Sequence, residues 1–220
     1  MGSHLSYITY TESAQLDQLL ISTYKISMDD LIELAGLRIK QWIDKYYFGA
    51  PILGVIGKGN NALDVLSAFM QLDSSHALSL YVCDDVICEH PKYKACLNSR
   101  SIKIVNSISR IPDDAVILDG IFGTGLNRSM SHSLARLIHE LNELSVPVIS
   151  IDVPSGMNET GLGPCINADI TLTMMLPKKV FLDMRNRHHC GDIYLLNFNL
   201  PISDSLSYDF LDSSTVFMKI

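Results

Sequence analysis

Two aspartates close apolar segments of the sequence, and each is followed by a turn. Asp119 ends the segment AVILD and precedes Phe122 and the Gly-Thr-Gly sequence of residues 123–125. Asp152 ends the segment VISID and precedes a proline turn that contains Ser155. If both segments are parallel strands, their carboxyl ends meet at one edge of a sheet, where open α/β sheets bind ligands. We therefore expect a site at this edge, with carboxylates available for acid–base chemistry or for binding a cation.

A glycine turn, GKGNN at residues 57–61, follows an earlier apolar segment, PILGVI. The unpaired N–H groups at the start of the helix expected after this turn favour a phosphate or another anion. Asp119 and Asp152 would repel that anion and each other unless a cation lies between them. The side-chain oxygens of Asn61 and Ser155 complete an all-oxygen set, which suits a hard cation rather than zinc or copper.

Other chemistries fit these residues less well. The turn at residues 57–61 lacks the third glycine of the dinucleotide fingerprint, and no acid follows the next strand at an interpretable position, which disfavours an NAD dehydrogenase. Ser155 lies outside any G-x-S-x-G elbow, which disfavours hydrolysis. Residues 188–190, His-His-Cys, lack further ligands at metal-site spacing. Lys178 fits two interpretations, a contact to a phosphate and a cap on a strand, and the sequence does not separate them.

The elements that must position these residues alternate between strands and helices. Continuous apolar runs without polar alternation are typical of strands buried on both faces of a parallel sheet. The pattern predicts a three-layer α-β-α, Rossmann-like domain with a mostly parallel, doubly wound sheet. Two helices, at residues 12–20 and 28–46, precede the first strand and could form a lid or a dimer face. Strands are expected at residues 51–56, 77–83, 102–105, 115–119, 146–152, 169–174 and 193–198, the last closing the sheet, and further helices at 65–72, 92–99 and 131–144.

Composition narrows the class of protein. The 220 residues are expected to form a single domain, with residues 1–4 as a cloning remnant. A net charge of −7 argues against nucleic acid as a partner. The sequence contains neither an apolar stretch long enough to span a membrane nor a signal peptide, and its five cysteines include no CxxC pair. We therefore expect a cytoplasmic protein with reduced thiols and no membrane partner.

Three motifs resemble the YjeF N-terminal domain family, the NAD(P)HX epimerases. The glycine–asparagine loop of that family, usually GPGNNGGDG, corresponds to residues 57–65, its Asp-x-x-Phe-GTG motif to residues 119–125, and its S-x-D-x-PSG motif to residues 150–156. Later pairs, including Pro177-Lys178 and Gly191-Asp192, match in the same order. The similarity therefore extends over essentially the whole chain.

The resemblance implies an epimerase that interconverts the R and S forms of hydrated NADH or NADPH, so that a separate dehydratase can restore the cofactor. It implies a potassium ion as cofactor, held by Asn61, Asp119 and Ser155. It also implies a catalytic carboxylate, with Asp152 as the first candidate and Asp64 as the second. The residues that it places against the hydrated cofactor are Asn60, Asn61, Ala62, Leu63, Asp64, Gly123, Thr124, Gly125, Leu126, Asn127, Arg128, Ser129 and Asp152.

The chain departs from the family pattern in its first motif. Ala62, Leu63 and Val65 replace three glycines, so we expect side chains where the family brings bare backbone close to its ligand. This departure favours an alternative, a noncatalytic module of the same fold that binds a nucleotide metabolite, or a partner through the N-terminal helices. A methyltransferase-like enzyme that uses residues 57–61 is a third interpretation. A homodimer through the N-terminal helices is compatible with any of the three.

Overall fold

The computed structural model describes residues 6–124, 130–161, 163–200 and 215–220. Within them one eight-stranded sheet has the order β3-β2-β1-β4-β5-β6-β7-β8. Neighbouring strands run parallel, except that β8 is antiparallel to β7. The strands are β1 (Ile52–Ile56), β2 (Leu78–Val82), β3 (Ile102–Ile104), β4 (Val116–Gly120), β5 (Val148–Ile151), β6 (Ile170–Met174), β7 (Asp192–Leu196) and β8 (Phe217–Lys219). The α-helices are α1 (Tyr10–Ser22), α2 (Met28–Tyr46), α3 (Asn60–Gln71), α4 (Pro91–Ser99), α5 (His132–Asn142) and α6 (Met184–Arg187).

The central strands are mostly apolar because helices cover both faces of the sheet. Every residue of β1 and β4 is buried. Trp42 of α2 and Phe69 of α3 belong to one apolar cluster, which contains Ile52 of β1. Leu137 of α5 belongs to a second cluster, which contains Ile117 of β4. The predicted three-layer α/β arrangement is therefore confirmed.

The predicted strands and most of the longer helices are present close to their expected bounds, but α3 begins at Asn60, five residues before the predicted start. One expectation at the sheet edge is wrong, because β7 does not close the sheet. The antiparallel strand β8 pairs with it, and Leu195 lies opposite Met218. This strand has only three residues, too few for a period to stand out in the sequence.

The helix α6 and two short 3-10 turns, at Asp85–Glu89 and Lys179–Leu182, also lie in segments where the sequence pattern predicted no regular structure. All five cysteine thiols are free. Within the described ranges, no helix combines the length and the apolar character needed to cross a bilayer. The proposed cloning remnant, residues 1–4, lies outside the described residues.

Candidate functional site

The direction of the strand order changes between β1 and β4, the neighbouring strands at the centre of the sheet. A crevice outside the carboxyl ends of the strands is expected at such a point. Here the loops after the two strands contact each other through their backbones, and the Gly57 N–H donates to the Gly120 carbonyl at 3.2 Å. A Cβ on Gly57 would lie 2.2 Å from the Ile121 carbonyl oxygen, so only glycine allows this approach.

Asn61, in the first turn of α3, connects three elements of the crevice. Its Nδ2 donates to the carbonyl of Phe122, after β4, and to the carbonyl of Ile151, the last residue of β5, at 3.0 Å each. A Cβ on Gly123 would lie 3.2 Å from Asn61 Oδ1, so the loop after β4 packs directly on this side chain. The asparagine therefore fixes the start of α3 against the ends of both strands.

Asp119 is fully buried beneath the crevice. Its Oδ2 accepts from Ser150 Oγ at 2.7 Å and from the Ser155 backbone N–H at 2.8 Å, and its Oδ1 accepts from the Ile121 N–H at 3.3 Å. Burial raises the pKa of this carboxyl group, and the hydrogen bonds from Ser155, Ser150 and Ile121 partly oppose that effect. The Ser155 hydroxyl in turn accepts from the Phe122 N–H at 2.8 Å and donates to the Phe122 carbonyl at 3.0 Å.

The structure thus brings together the three side chains predicted to bind a cation, Asn61, Asp119 and Ser155, around the backbone of Phe122. The side-chain atoms that could coordinate a cation are oxygens, and only Asp119 supplies a carboxylate. Such a set fits a hard ion of low charge better than zinc or copper. Among the described residues, no group of three or more His, Cys, Asp or Glu side chains is placed to hold a metal ion.

Asp152 lies at the end of β5 in a strained turn. Its φ is +64°, and the Val153 N–H donates across it to the Ile151 carbonyl at 2.8 Å, which defines a γ-turn. The neighbouring strand β6 ends in the same way. Met175 has φ +58°, and the Leu176 N–H donates to the Met174 carbonyl at 2.6 Å. Each such turn costs about 1–3 kcal/mol, and strain of this kind concentrates at functional sites.

Lys178 connects these two turns. Its side chain is 2% exposed, and its Nζ lies 2.6 Å from Asp152 Oδ1. The same ammonium donates to the carbonyls of Met174, at 3.0 Å, and Leu176, at 3.1 Å, so its three N–H groups have three partners. The bond to the Met174 carbonyl, at the end of β6, agrees with the interpretation of Lys178 as a strand cap, whereas the ion pair with Asp152 was not anticipated. The lysine supplies a counter-charge for Asp152, and the cation expected between Asp119 and Asp152 stays a prediction.

A cavity of about 430 Å³ lies between α1, α2, the start of α3 and the carboxyl ends of the strands. Its apolar lining includes Met28, Leu31 and Met175, and its charged lining includes Lys58 and Lys178. Of the residues predicted to contact or act on a ligand, six line it: Asn60, Asn61, Asp64, Gly123, Thr124 and Asp152.

Two further carboxyl groups in the cavity have shifted pKa values. Asp64, on α3, is 7% exposed, and burial, followed by the nearby charges of Asp152 and Asp17, raises its pKa well above the usual value. Asp17, on α1, also lines the cavity, and burial followed by the charge of Asp152 raises its pKa to about 6, although Lys178 opposes the shift. Sequence reasoning missed Asp17, because it lies in an ordinary amphipathic helix whose position over the sheet is set by tertiary packing.

Other predicted contact residues lie elsewhere. Ala62 and Leu63 are 0% and 6% exposed, belong to the apolar core and do not line the cavity, and Val65 is fully buried. The expectation that their side chains project toward the ligand is therefore wrong. In a helix that begins at Asn60, these positions face the sheet and the neighbouring helices. The remaining predicted contacts, Gly125, Leu126, Asn127, Arg128 and Ser129, lie outside the described residues.

Comparison with known proteins identifies relatives of this chain. The NAD(P)H-hydrate epimerase of Limosilactobacillus fermentum is 28% identical over 203 residues, a match that covers 84% of this chain and 93% of that protein. The bifunctional NAD(P)H-hydrate repair enzyme Nnr of Synechocystis is 31% identical over 179 residues, which cover 78% of this chain and 34% of that one.

A solved structure and a family model agree with these matches. The crystal structure of yeast ynu0, YNL200c, superposes with a TM-score of 0.74 over 98% of this chain and all of that one, at 17% identity, and so supports the fold. The model of the family described as YjeF-related protein N-terminus matches residues 28–180, well over half of the sequence. The chain therefore belongs to the YjeF-related protein N-terminal family.

Proposed function

We propose that this protein is a metabolite-repair epimerase that interconverts the R and S forms of hydrated NADH and NADPH. Its product would be the epimer from which a separate dehydratase restores the cofactor. Relatives that align with most of the chain carry the name NAD(P)H-hydrate epimerase. The observation that carries the proposal is the meeting of Asp64 and the Asp152–Lys178 ion pair in one cavity.

The two ends of the cavity suit the two ends of a hydrated dinucleotide. Gly123 and Thr124 line the cavity together with Asn60, where the unpaired N–H groups and the positive end of the α3 dipole favour phosphate. Met175 also lines the cavity, and its flexible thioether side chain adapts to the shape of a reduced nicotinamide ring. In this orientation the hydrated ring lies against Asp64 and Asp152.

The two carboxyl groups differ in the way that acid–base catalysis requires. Asp64 is buried, and its burial raises its pKa well above the usual value, which favours the protonated form that an acid needs. Asp152 is paired with the buried Lys178 ammonium and can act as the base.

The reaction that these groups support conserves all atoms and charges. Asp64 donates a proton to the hydroxyl on C6 of the hydrated ring, the C6–O bond breaks, and water leaves. The lone pair of the adjacent ring nitrogen forms a C=N bond and stabilises the resulting cation, which the Asp152 carboxylate also stabilises. Water then adds to C6 from the other face, the C=N electrons return to nitrogen, and Asp152 accepts the proton that this water loses.

A potassium ion is the proposed cofactor, with Asn61, Asp119 and Ser155 as its ligands. It would supply positive charge next to the bound phosphates. Support comes from Asp119, whose burial raises its pKa, since a bound cation would offset the cost of keeping this carboxylate charged. Thermal unfolding in potassium chloride and in tetramethylammonium chloride tests the site. We expect potassium to raise the Tm of the unmodified protein but not that of Asp119→Asn, and equal shifts in both proteins would refute the assignment.

Three further parts of the proposal concern the setting of the reaction. Coupling to a dehydratase has support in relatives named bifunctional repair enzymes, of which this chain spans only 34–41%. A homodimer through α1 and α2 is a proposal that sedimentation can test. A cytoplasmic location is a proposal that cell fractionation can test.

A coupled assay tests the main proposal. A dehydratase specific for the S epimer is given mixed epimers, and slow consumption of the R epimer then reports spontaneous epimerisation. We expect this protein to accelerate that phase and Asp64→Asn to abolish the acceleration, whereas Asp29→Asn, which removes an exposed carboxylate outside the cavity, should retain it. A rate equal to the spontaneous one, together with stabilisation by the substrate, would instead indicate the noncatalytic module.

A further inference from the structure

The helix α1 contributes one face to the cavity, formed by Ser13, Ala14 and Asp17. Backbone pairing holds the start of this helix in place. The Ile8 N–H donates to the Pro177 carbonyl at 2.9 Å, and the Lys179 N–H donates to the Ile8 carbonyl at 2.7 Å. This pairing lies on either side of Lys178, the partner of Asp152, so the position of α1 over the cavity is coupled to the position of the ion pair.

Asp17 differs from the other charged groups of the cavity in its environment. It is partly exposed, whereas Asp64 and Lys178 are buried. Asp17 forms no hydrogen bond or ion pair with another of the described residues. The charges of Asp152 and Lys178 nevertheless shift its pKa, and its own charge raises the pKa of Asp64. Asp17 therefore lines the cavity and is also accessible to solvent.

The proposed reaction leaves the enzyme in the wrong protonation state after each turnover. Asp64 has lost a proton and Asp152 has gained one, and the next turnover requires the reverse. Lys178 cannot return the proton, because its three N–H groups contact Asp152, Met174 and Leu176. A further titratable group in the same cavity, with access to solvent, would speed this reset, and Asp17 lines the cavity with both carboxyl groups.

We propose that Asp17 is the proton-transfer residue that resets the site, taking the proton from Asp152 and returning one to Asp64 or exchanging it with solvent. This inference rests on the proposed epimerase function. In the reset, an O–H bond on Asp152 breaks and one on Asp17 forms, and the same exchange then occurs between Asp17 and Asp64, with no net change. Burial and the charge of Asp152 raise the Asp17 pKa to about 6, so both forms are populated near neutral pH.

Chemical rescue separates proton transfer from a structural role. In the coupled assay, Asp17→Asn should lower kcat by about a hundredfold, the lower end of the range for losing a proton-transfer group, with KM unchanged. Its pH profile should also lose the ionisation near 6. Added imidazole or formate should restore kcat in Asp17→Asn in a saturable way and have no effect on the unmodified protein. The matched control, Asp29→Asn, should behave like the unmodified protein in every respect.

Each outcome bears on one claim. Full activity of Asp17→Asn beside an active unmodified protein would overturn the role of Asp17 and leave the epimerase function standing. Loss of activity without rescue, and with an unchanged pH profile, would also overturn it and indicate a structural role. An unmodified protein with no epimerase activity would overturn the proposed function, and the role of Asp17 with it.

Discussion

Replacing Lys178 with methionine should destabilise the protein by about 3–5 kcal/mol, the usual cost of removing one partner of a buried ion pair. The ammonium is 2% exposed and lies 2.6 Å from Asp152 Oδ1. Methionine has a similar length and volume, so little of the loss would come from a cavity. The loss arises because the partly buried Asp152 carboxylate keeps no counter-charge and the carbonyls of Met174 and Leu176 lose their donor.

The size of this effect is easily measured. Proteins of this length usually have a free energy of unfolding of about 5–15 kcal/mol, so the variant would lose a large part of it. A loss of about 3–5 kcal/mol lowers the Tm by roughly 6–20 °C in a chain of this size. Combining Lys178→Met with Asp152→Asn should recover much of the stability, since the second substitution removes the uncompensated charge.

Urea unfolding, followed by the fluorescence of the buried Trp42, measures these differences. The neighbouring Lys179 provides the control, because it forms an exposed ion pair with Glu12 at 3.1 Å. Lys179→Met should cost less than about 1 kcal/mol. If the two lysine variants were equally stable, or if the double variant were no more stable than Lys178→Met, the ion pair would not have the energetic role assigned to it.

Three further predictions concern the rim of the cavity. Gly57→Ala should destabilise the protein more than Gly123→Ala in urea unfolding, because its Cβ would meet a backbone carbonyl at 2.2 Å rather than a side chain at 3.2 Å, and equal losses would contradict this packing. Asp17→Asn should raise the Tm above pH 6 but not at pH 4. The pKa of Asp17 is raised to about 6, so its contribution to stability is lost as the pH rises through that value, and a constant Tm difference across this range would refute the shift. Asp64→Asn should lower kcat by about 10²–10⁴-fold without lowering the Tm at pH 7, since the variant no longer buries an ionisable group; a large fall in Tm would indicate a structural role instead.

The sheet could be predicted from the sequence because its central strands are mostly apolar. Val116–Gly120 and Val148–Ile151 are buried throughout, and such runs stand out against the polar turns that follow them. The edge strand Phe217–Lys219 has three residues of mixed exposure, and its only structural signal is the pairing with β7. The local sequence pattern therefore identified the central strands but missed the edge strand β8.

The same distinction applies to the site. Asp119, Asp152 and Ser155 follow strands, and strand ends in a parallel sheet share an edge, so topology alone brings these residues together. Asp17 and Lys178 reach the cavity for a different reason. Asp17 lies on α1, far from the strand ends in the sequence, and lines the cavity. Lys178 follows β6 and reaches Asp152 through its long side chain. Both placements depend on tertiary contacts that no local motif encodes.

The substituted glycine positions show how the motif can vary without loss of the site. In α3, Asn60 and Asn61 are adjacent, and Asp64 follows them by four and three residues, so all three share the helix face that lines the cavity. Ala62 and Leu63 fall on the remaining surface of the same turns, which packs into the core. Larger side chains there add buried apolar area and leave the polar face unchanged, so the replacement of these glycines gives no support to a noncatalytic module. The glycine that this crevice requires is instead Gly57, where the loops after β1 and β4 meet.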